Sequence, residues 1–220
     1  MAGSRLTALQ ERILGALADL KPPWTLTGGG ALAALDTQHR DTRDLDLFWR
    51  DRRDLGDSAR EAAAALQTSG LRVDVLRRSP MFAELRVESS DGVCVVDLVA
   101  EPAPALEEPR SVSIGGVTIR ADTPHEILVN KLTALLGRAE PRDLWDVKVL
   151  VERGVDLDRA LADAPRKDGG FSPLTLAWVL RDWQPALLAH ASGWPESIVG
   201  ELAPFRDWLV DRLTTGARPE

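Results

Sequence analysis

The chain has 220 residues, 44% hydrophobic and 28% charged, enough for one or two globular domains with a sizeable core. A net charge of −7 argues against a surface uniformly coated for nucleic acid, although 27 Lys and Arg residues leave room for a local basic strip. One cysteine, Cys94, excludes a disulfide framework and a Cys-based zinc site. With no signal-peptide order and no apolar run approaching roughly 20 residues, the expectation is a cytoplasmic protein that does not cross a membrane.

Leu6, Leu9, Ile13, Leu14, Leu17 and Leu20 recur at helical spacing, which predicts an amphipathic helix over 5–20 ended by Pro22 and Pro23. Trp24 to Thr27 reads as a short strand running into Gly28, Gly29 and Gly30. Ala31 to Asp36 reads as a helix starting directly after them, its dipole aimed at whatever the glycines hold. A strand is predicted over 44–50 and a helix over 58–67. Leu71 to Leu76 and Phe82 to Glu88 alternate apolar and polar residues, whereas Val93 to Val99 is nearly continuously apolar, as in a strand buried on both faces. Residues 101–109 are a loop, and Val112 to Ile119 a hairpin turning on Gly115 and Gly116.

From Ala121 the character changes. Thr123-Pro124-His125-Glu126 has the form of a capping box with proline at the first helical position. Helices are predicted over 124–137, 142–153, 157–163, 173–190 and 196–214, with Trp145, Trp178, Trp183, Trp194 and Trp208 as core anchors. The expected layout is an α+β domain over 1–121 followed by a helical domain over 122–220.

The stretch from Leu26 to Phe48 carries the chemistry. Glycines let backbone N–H groups approach an anion with no Cβ in the way. Asp44 and Asp46, two apart on a predicted strand, share one face at a spacing of ~7 Å. Like charges there are unfavourable without a cation, and Mg²⁺ with a nucleoside triphosphate is the natural one. Asp97 interrupts an apolar run, where a carboxylate is costly unless paired, protonated or metal-bound. Two carboxylates on one strand and a third on another can bracket two Mg²⁺ ions. The plainer reading is a solvated strand edge in which Asp44 and Asp46 pair with Arg40 and Arg43.

A second cluster comprises Lys131, Arg138, Arg142, Asp143 and Asp146. Its basic residues can hold a triphosphate, leaving an acid to fix Lys131 or assist an acceptor hydroxyl. The alternative is an ordinary salt-bridge network between two helices. His39, His125 and His190 assemble into nothing and read as exposed or structural. No serine stands in a nucleophile elbow, and the glycines do not match a dinucleotide fingerprint.

The ordered set Gly28-Gly29-x-x-Leu32, Arg40-x-Thr42-x-Asp44-Leu45-Asp46, Asp97, Lys131 and Arg142-Asp143-x-x-Asp146 resembles the AbiEii/AbiGii nucleotidyltransferase toxins over roughly residues 24–153. That family belongs to the DNA polymerase β-type nucleotidyltransferase superfamily. The resemblance implies a mixed sheet with flanking helices and a helical C-terminal domain completing the active site. It implies Mg²⁺ on Asp44, Asp46 and Asp97, and catalytic roles for these three with Lys131 and Asp146. Gly28, Gly29, Gly30, Thr42, Lys131, Arg142 and Asp143 would bind the nucleotide. Gly30 departs from the family, which more often has Thr or Ser there, so a hydroxyl would be missing from the phosphate cradle.

By the same resemblance the chain would transfer a nucleoside monophosphate from NTP to the 3′ end of tRNA, and an antitoxin encoded nearby would neutralise it. The strip Arg72, Arg77, Arg78, Lys131 and Arg138 would then serve the tRNA. Alternatives are a small aminoglycoside-type acceptor, a protein side chain, or a nucleotide-binding module without catalysis.

Overall fold

The structure is a computed structural model that describes residues 6–35 and 40–215. Asp36 and His39 lie outside the described residues. The chain divides into two compact units, Met1–Thr123 and Pro124–Glu220.

The first unit is a seven-stranded mixed sheet with helices. Helix α1 (Ala8–Leu17) starts at a capping box: the Thr7 hydroxyl accepts from the Gln10 N–H, and the Gln10 side chain accepts from the Thr7 N–H. Strand β1 (Thr25–Thr27) runs into α2 (Gly28–Ala34), followed by β2 (Asp44–Arg50) and α3 (Ser58–Thr68). Strands β3 (Arg72–Arg78), β4 (Phe82–Ser89) and β5 (Gly92–Glu101) form a meander, and β6 (Arg110–Ile114) with β7 (Val117–Ala121) is the glycine-turned hairpin. The strand order is β3-β4-β5-β2-β1-β7-β6, parallel at β2/β5 and β1/β7 and antiparallel elsewhere.

Alternation along the central strands gives the sheet two unlike faces. Leu26, Leu45, Leu47, Trp49, Leu85, Val87, Val96 and Leu98 are buried on one, with Ile13 and Leu14 of α1 and Ala62 and Leu66 of α3 also in the core. Each such leucine contributes about 1.5–3 kcal/mol by leaving water. The other face carries Asp44, Asp46 and Phe48 on β2 and Val95, Asp97 and Val99 on β5, all half-buried. Strand β5 is therefore buried on one face, not two. Its continuous apolar run arises because Val93, Val95 and Val99 occupy the polar face, Val93 being 52% exposed.

The second unit is helical: α4 (Pro124–Arg138), α5 (Pro141–Glu152), α6 (Leu157–Asp163), α7 (Pro173–Arg181), α8 (Pro185–Ala191) and α9 (Glu196–Thr215). Where one helix is predicted over 173–190 there are two. Pro185 has no N–H to donate and its ring opposes the helical carbonyl, so it starts α8 instead of continuing α7. Pro141 and Pro173 open their helices likewise. The tryptophans are not uniformly core anchors: Trp145 is buried, but Trp178 is 74% and Trp208 44% exposed. The Thr123 hydroxyl donates to Glu107, and the Glu126 carboxylate sits 2.6 Å from the Lys167 ammonium. Among the described residues no helix is long and apolar enough to cross a membrane.

Candidate active site

The glycines form the first turn of α2, not a loop ahead of it. Thr27 is extended (φ −129°) and Gly28 left-handed (φ +62°), so strand becomes helix across one residue. An L side chain resists that step. A Cβ on Gly28 would stand 2.5 Å from Asp46 Oδ2, and one on Gly29 2.8 Å from Thr42 Oγ1 and 3.3 Å from an Arg40 guanidinium nitrogen. The bare backbone of both residues thus lies against the side chains that the sequence grouped with it. Gly30 points elsewhere: its Cβ would meet Leu26 Cδ1 and Leu45 Cδ2 at 3.1 Å. The hydroxyl expected to be missing from a phosphate cradle would here be directed at two core leucines.

Sheet register assembles the acids. Thr27 opposes Asp46, and Asp46 opposes Asp97 on the parallel neighbour β5. Asp44 lies two residues along β2 on the same face, and the Thr42 hydroxyl bonds both its carbonyl and its Oδ1 at 3.2 Å. Gln10 holds Thr42 in turn, its amide donating to the Thr42 carbonyl at 3.0 Å. Arg43 makes no ion pair among the described residues, which removes one partner of the solvated-edge reading.

Neighbouring strands lie about 4.8 Å apart. Two carboxylates at that spacing repel by roughly 3 kcal/mol at an effective dielectric constant near 20. A hard divalent cation relieves such a repulsion, and three carboxylates are the oxygen donors it prefers. The donor set of Asp44, Asp46 and Asp97 therefore fits Mg²⁺ in kind. Among the described residues, however, no three acidic, imidazole or thiol groups converge on a single metal position.

Two features of this unit escaped sequence reasoning. The Thr27 hydroxyl is buried, has no hydrogen-bond partner among the described residues, and is in register with Asp46. Its signal was only its place before the glycines. Arg50, on the acidic face, pairs with the buried Asp122 at 2.6 Å and lies 5.1 Å from the Phe48 ring centre. A partnership across 72 residues leaves no trace in local spacing.

In the second unit the Lys131 ammonium lies 2.8 Å from both Asp143 Oδ1 and Asp146 Oδ2, and the Arg138 Nε 2.8 Å from Asp143 Oδ2. Both carboxylates are fully buried and Lys131 is 7% exposed. Burial alone would push the lysine pKa down. The charges of Asp146 and Asp143 and the hydrogen bonds they accept outweigh it, so the ammonium is held above its usual range. Burial likewise pushes Asp143 up, but Lys131 and Arg138 overcome it and hold this carboxyl below its usual range. The Arg142 Nε lies 2.6 Å from Glu140 Oε2.

The family described as "Nucleotidyl transferase AbiEii toxin, Type IV TA system" matches residues 12–189. The chain belongs to this family. Its fold is similar to that of MenT4, a nucleotidyltransferase toxin from Mycobacterium tuberculosis H37Rv, with TM-score 0.60, 18% identity, and 93% of this chain and 80% of that one covered. It is also similar to JHP933 from Helicobacter pylori, with TM-score 0.56, 19% identity, and coverage of 95% and 92%. No curated protein matches the chain. As an AbiEii-family member the protein is a nucleotidyltransferase toxin with a mixed α+β sheet. The candidate residues fall into two groups. Gly28, Gly29, Thr42, Asp44, Asp46 and Asp97 cluster on one face of the sheet unit, and Lys131, Asp143 and Asp146 form a buried clasp in the helical unit.

Proposed function

We propose that this AbiEii-family toxin uses Mg²⁺ to transfer a nucleoside monophosphate from NTP to the 3′-terminal hydroxyl of tRNA, releasing pyrophosphate in the cytoplasm. An antitoxin encoded nearby counteracts it. The observation that carries the reading is the row Thr27, Asp46 and Asp97 beside the bare backbone of Gly28 and Gly29. Asp44, Asp46 and Asp97 hold the divalent cation, which when bound neutralises triphosphate charge. Gly28 and Gly29 leave room for a phosphate to approach the backbone at the turn into α2. Thr42 orients the Asp44 carboxylate. The Thr27 hydroxyl, buried beside Asp46, is suited to donate a hydrogen bond to a bound phosphate oxygen.

Lys131 is better suited to positioning than to gripping phosphate, because its ammonium is buried between two carboxylates. With Asp143 and Asp146 it ties α4 to α5.

The test is transfer of label from each of the four NTPs to total tRNA in the presence of Mg²⁺. Wild type labels the tRNA and Asp46→Asn does not. Equal behaviour of the two proteins with every NTP would sink the reading. Lys131→Ala is the weaker diagnostic, since it also removes a buried counter-charge.

A further inference from the structure

Strand β3 contains a bulge that changes which face one arginine serves. Up to Val75 the strand alternates regularly: Arg72 and Asp74 oppose Glu88 and Arg86, while Val73 and Val75 oppose Val87 and Leu85. Val87 and Leu85 are buried on the apolar face, so Val73 and Val75 belong to that side. Regular alternation would send residue 77 to the apolar side as well. The register instead shifts between Val75 and Arg77, with Leu76 as the extra residue, and Arg77 comes to oppose Glu84.

Glu84 opposes Asp97, which opposes Asp46. One row thus crosses four strands: Asp46, Asp97, Glu84, Arg77. The Arg77 Nε is 3.2 Å from Glu84 Oε2, and its side chain is 78% exposed. Arg86, a neighbour on the same face, is engaged by Glu88 and by Asp74. Arg72 shares those two acids. Arg78 opposes Ala83, a buried residue of the apolar side, and so leaves the basic strip expected from sequence.

A bulge gives up regular pairing, and next to a functional row its effect is to re-aim a side chain. Two strand spacings put the Arg77 backbone about 10 Å from that of Asp97. That is the reach of the first few nucleotides back from a reacting end, at ~3.4 Å per stacked nucleotide. A guanidinium there matches a phosphodiester in charge and in its forked geometry. Glu84 keeps the fork oriented and compensates its charge while no acceptor is bound. A mononucleoside is too short to reach it, and a polycationic acceptor has the wrong sign.

We infer that Arg77, delivered to the acidic face by the Leu76 bulge and held by Glu84, anchors a backbone phosphate of a polynucleotide acceptor within the first few nucleotides of its reacting hydroxyl. This rests on reading the acidic row as a nucleotide-transfer centre.

The experiment measures binding without NTP, so that it does not depend on catalysis. A fluorescent 12-nucleotide single-stranded RNA with a free 3′ hydroxyl is titrated with the full chain at several salt concentrations. Arg77→Ala is expected to weaken binding about tenfold at low salt, the scale of one charge-assisted contact. It is also expected to lower the slope of log Kd against log salt by about 0.7, the share of one phosphate on a single strand. Arg78→Ala, on the other face, should leave both unchanged.

Deleting Leu76 removes the bulge but makes Arg77 the neighbour of Val75 and so keeps it opposite Glu84; this variant should bind as wild type does. Because a deletion can disturb folding, the exposed Arg77→Ala decides the question. A purely structural arginine would not move the salt slope. An unchanged slope in Arg77→Ala, an equal effect of Arg78→Ala, or wild-type binding that ignores salt would each overturn the inference. The transfer reading falls separately, on the comparison of wild type with Asp46→Asn.

Discussion

Gly28→Ala separates what this position does for stability from what it does for the site. The residue is left-handed at φ +62°, and holding an alanine there costs about 1–2 kcal/mol. At 2–4 °C per kcal/mol for a chain of this size, the thermal midpoint should fall by about 2–8 °C. The steric conflict is of another kind. The new Cβ would lie 2.5 Å from Asp46 Oδ2, the tip of a short side chain that can rotate away at little cost to the fold. What rotates away is a carboxylate proposed to hold metal. A displacement of ~1 Å in such a group costs on the order of 100-fold in rate.

The assay pairs a thermal unfolding curve with nucleotide transfer measured well below both midpoints, so that lost activity is not lost fold. Gly30→Ala is the internal control. Its Cβ would crowd Leu26 and Leu45, costing about 1–3 kcal/mol by overpacking while leaving Asp46 untouched. The expected pattern is comparable destabilisation of both variants with transfer lost only in Gly28→Ala. If Gly28→Ala retains transfer within threefold, or Gly30→Ala loses as much, the assignment of the first two glycines to the site and the third to the core is refuted.

The buried clasp of the helical unit gives two further expectations. Lys131→Met removes the buried cation that Asp143 and Asp146 share and should cost about 3–5 kcal/mol. Combined with Asp146→Asn it should cost less than the sum, with a coupling of about 0.5–3 kcal/mol in urea unfolding; additive losses would mean that the pair does not act as one. The second expectation concerns pH. The Asp143 pKa is depressed in the folded state, so its contribution is full above the unfolded value of 3.8 and is lost as pH falls towards the folded one. The stability gap between wild type and Asp143→Asn should hold steady from pH 7 to about 5 and narrow below about 4. A gap that stays constant to pH 3 would contradict the ion pair.

What the sequence revealed of the fold follows from which forces act locally. Strand β2 was legible as 44–50, because Leu45, Leu47 and Trp49 face the core while Asp44, Asp46 and Phe48 do not, and that alternation is written in the residues themselves. The one-sided burial of β5 is hidden in its sequence for the converse reason. Composition reports that Val95 and Val99 are apolar, but not that Asp97 between them sets the character of their face. The site was legible to the extent that its members lie close in sequence. Gly28 and Gly29 announced a close approach, yet their partners, Asp46 and Thr42, follow from how β1 meets β2. Lys131, Asp143 and Asp146 were readable as a charged cluster. Their burial was not, since solvated and buried ion pairs share one spacing and differ only in what packs over them.

The bulge is the instructive case. Arg72-Val73-Asp74-Val75-Leu76-Arg77-Arg78 offers arginine to both faces at its end, and periodicity has no means of choosing between them. Its one trace is the pair of adjacent apolar residues Val75 and Leu76, both about half exposed and so poorly explained as core. A strand that breaks its alternation without gaining burial is paying for the direction of a side chain, which is why the salt response of Arg77, set against Arg78, is the measurement on which the acceptor side of this site turns.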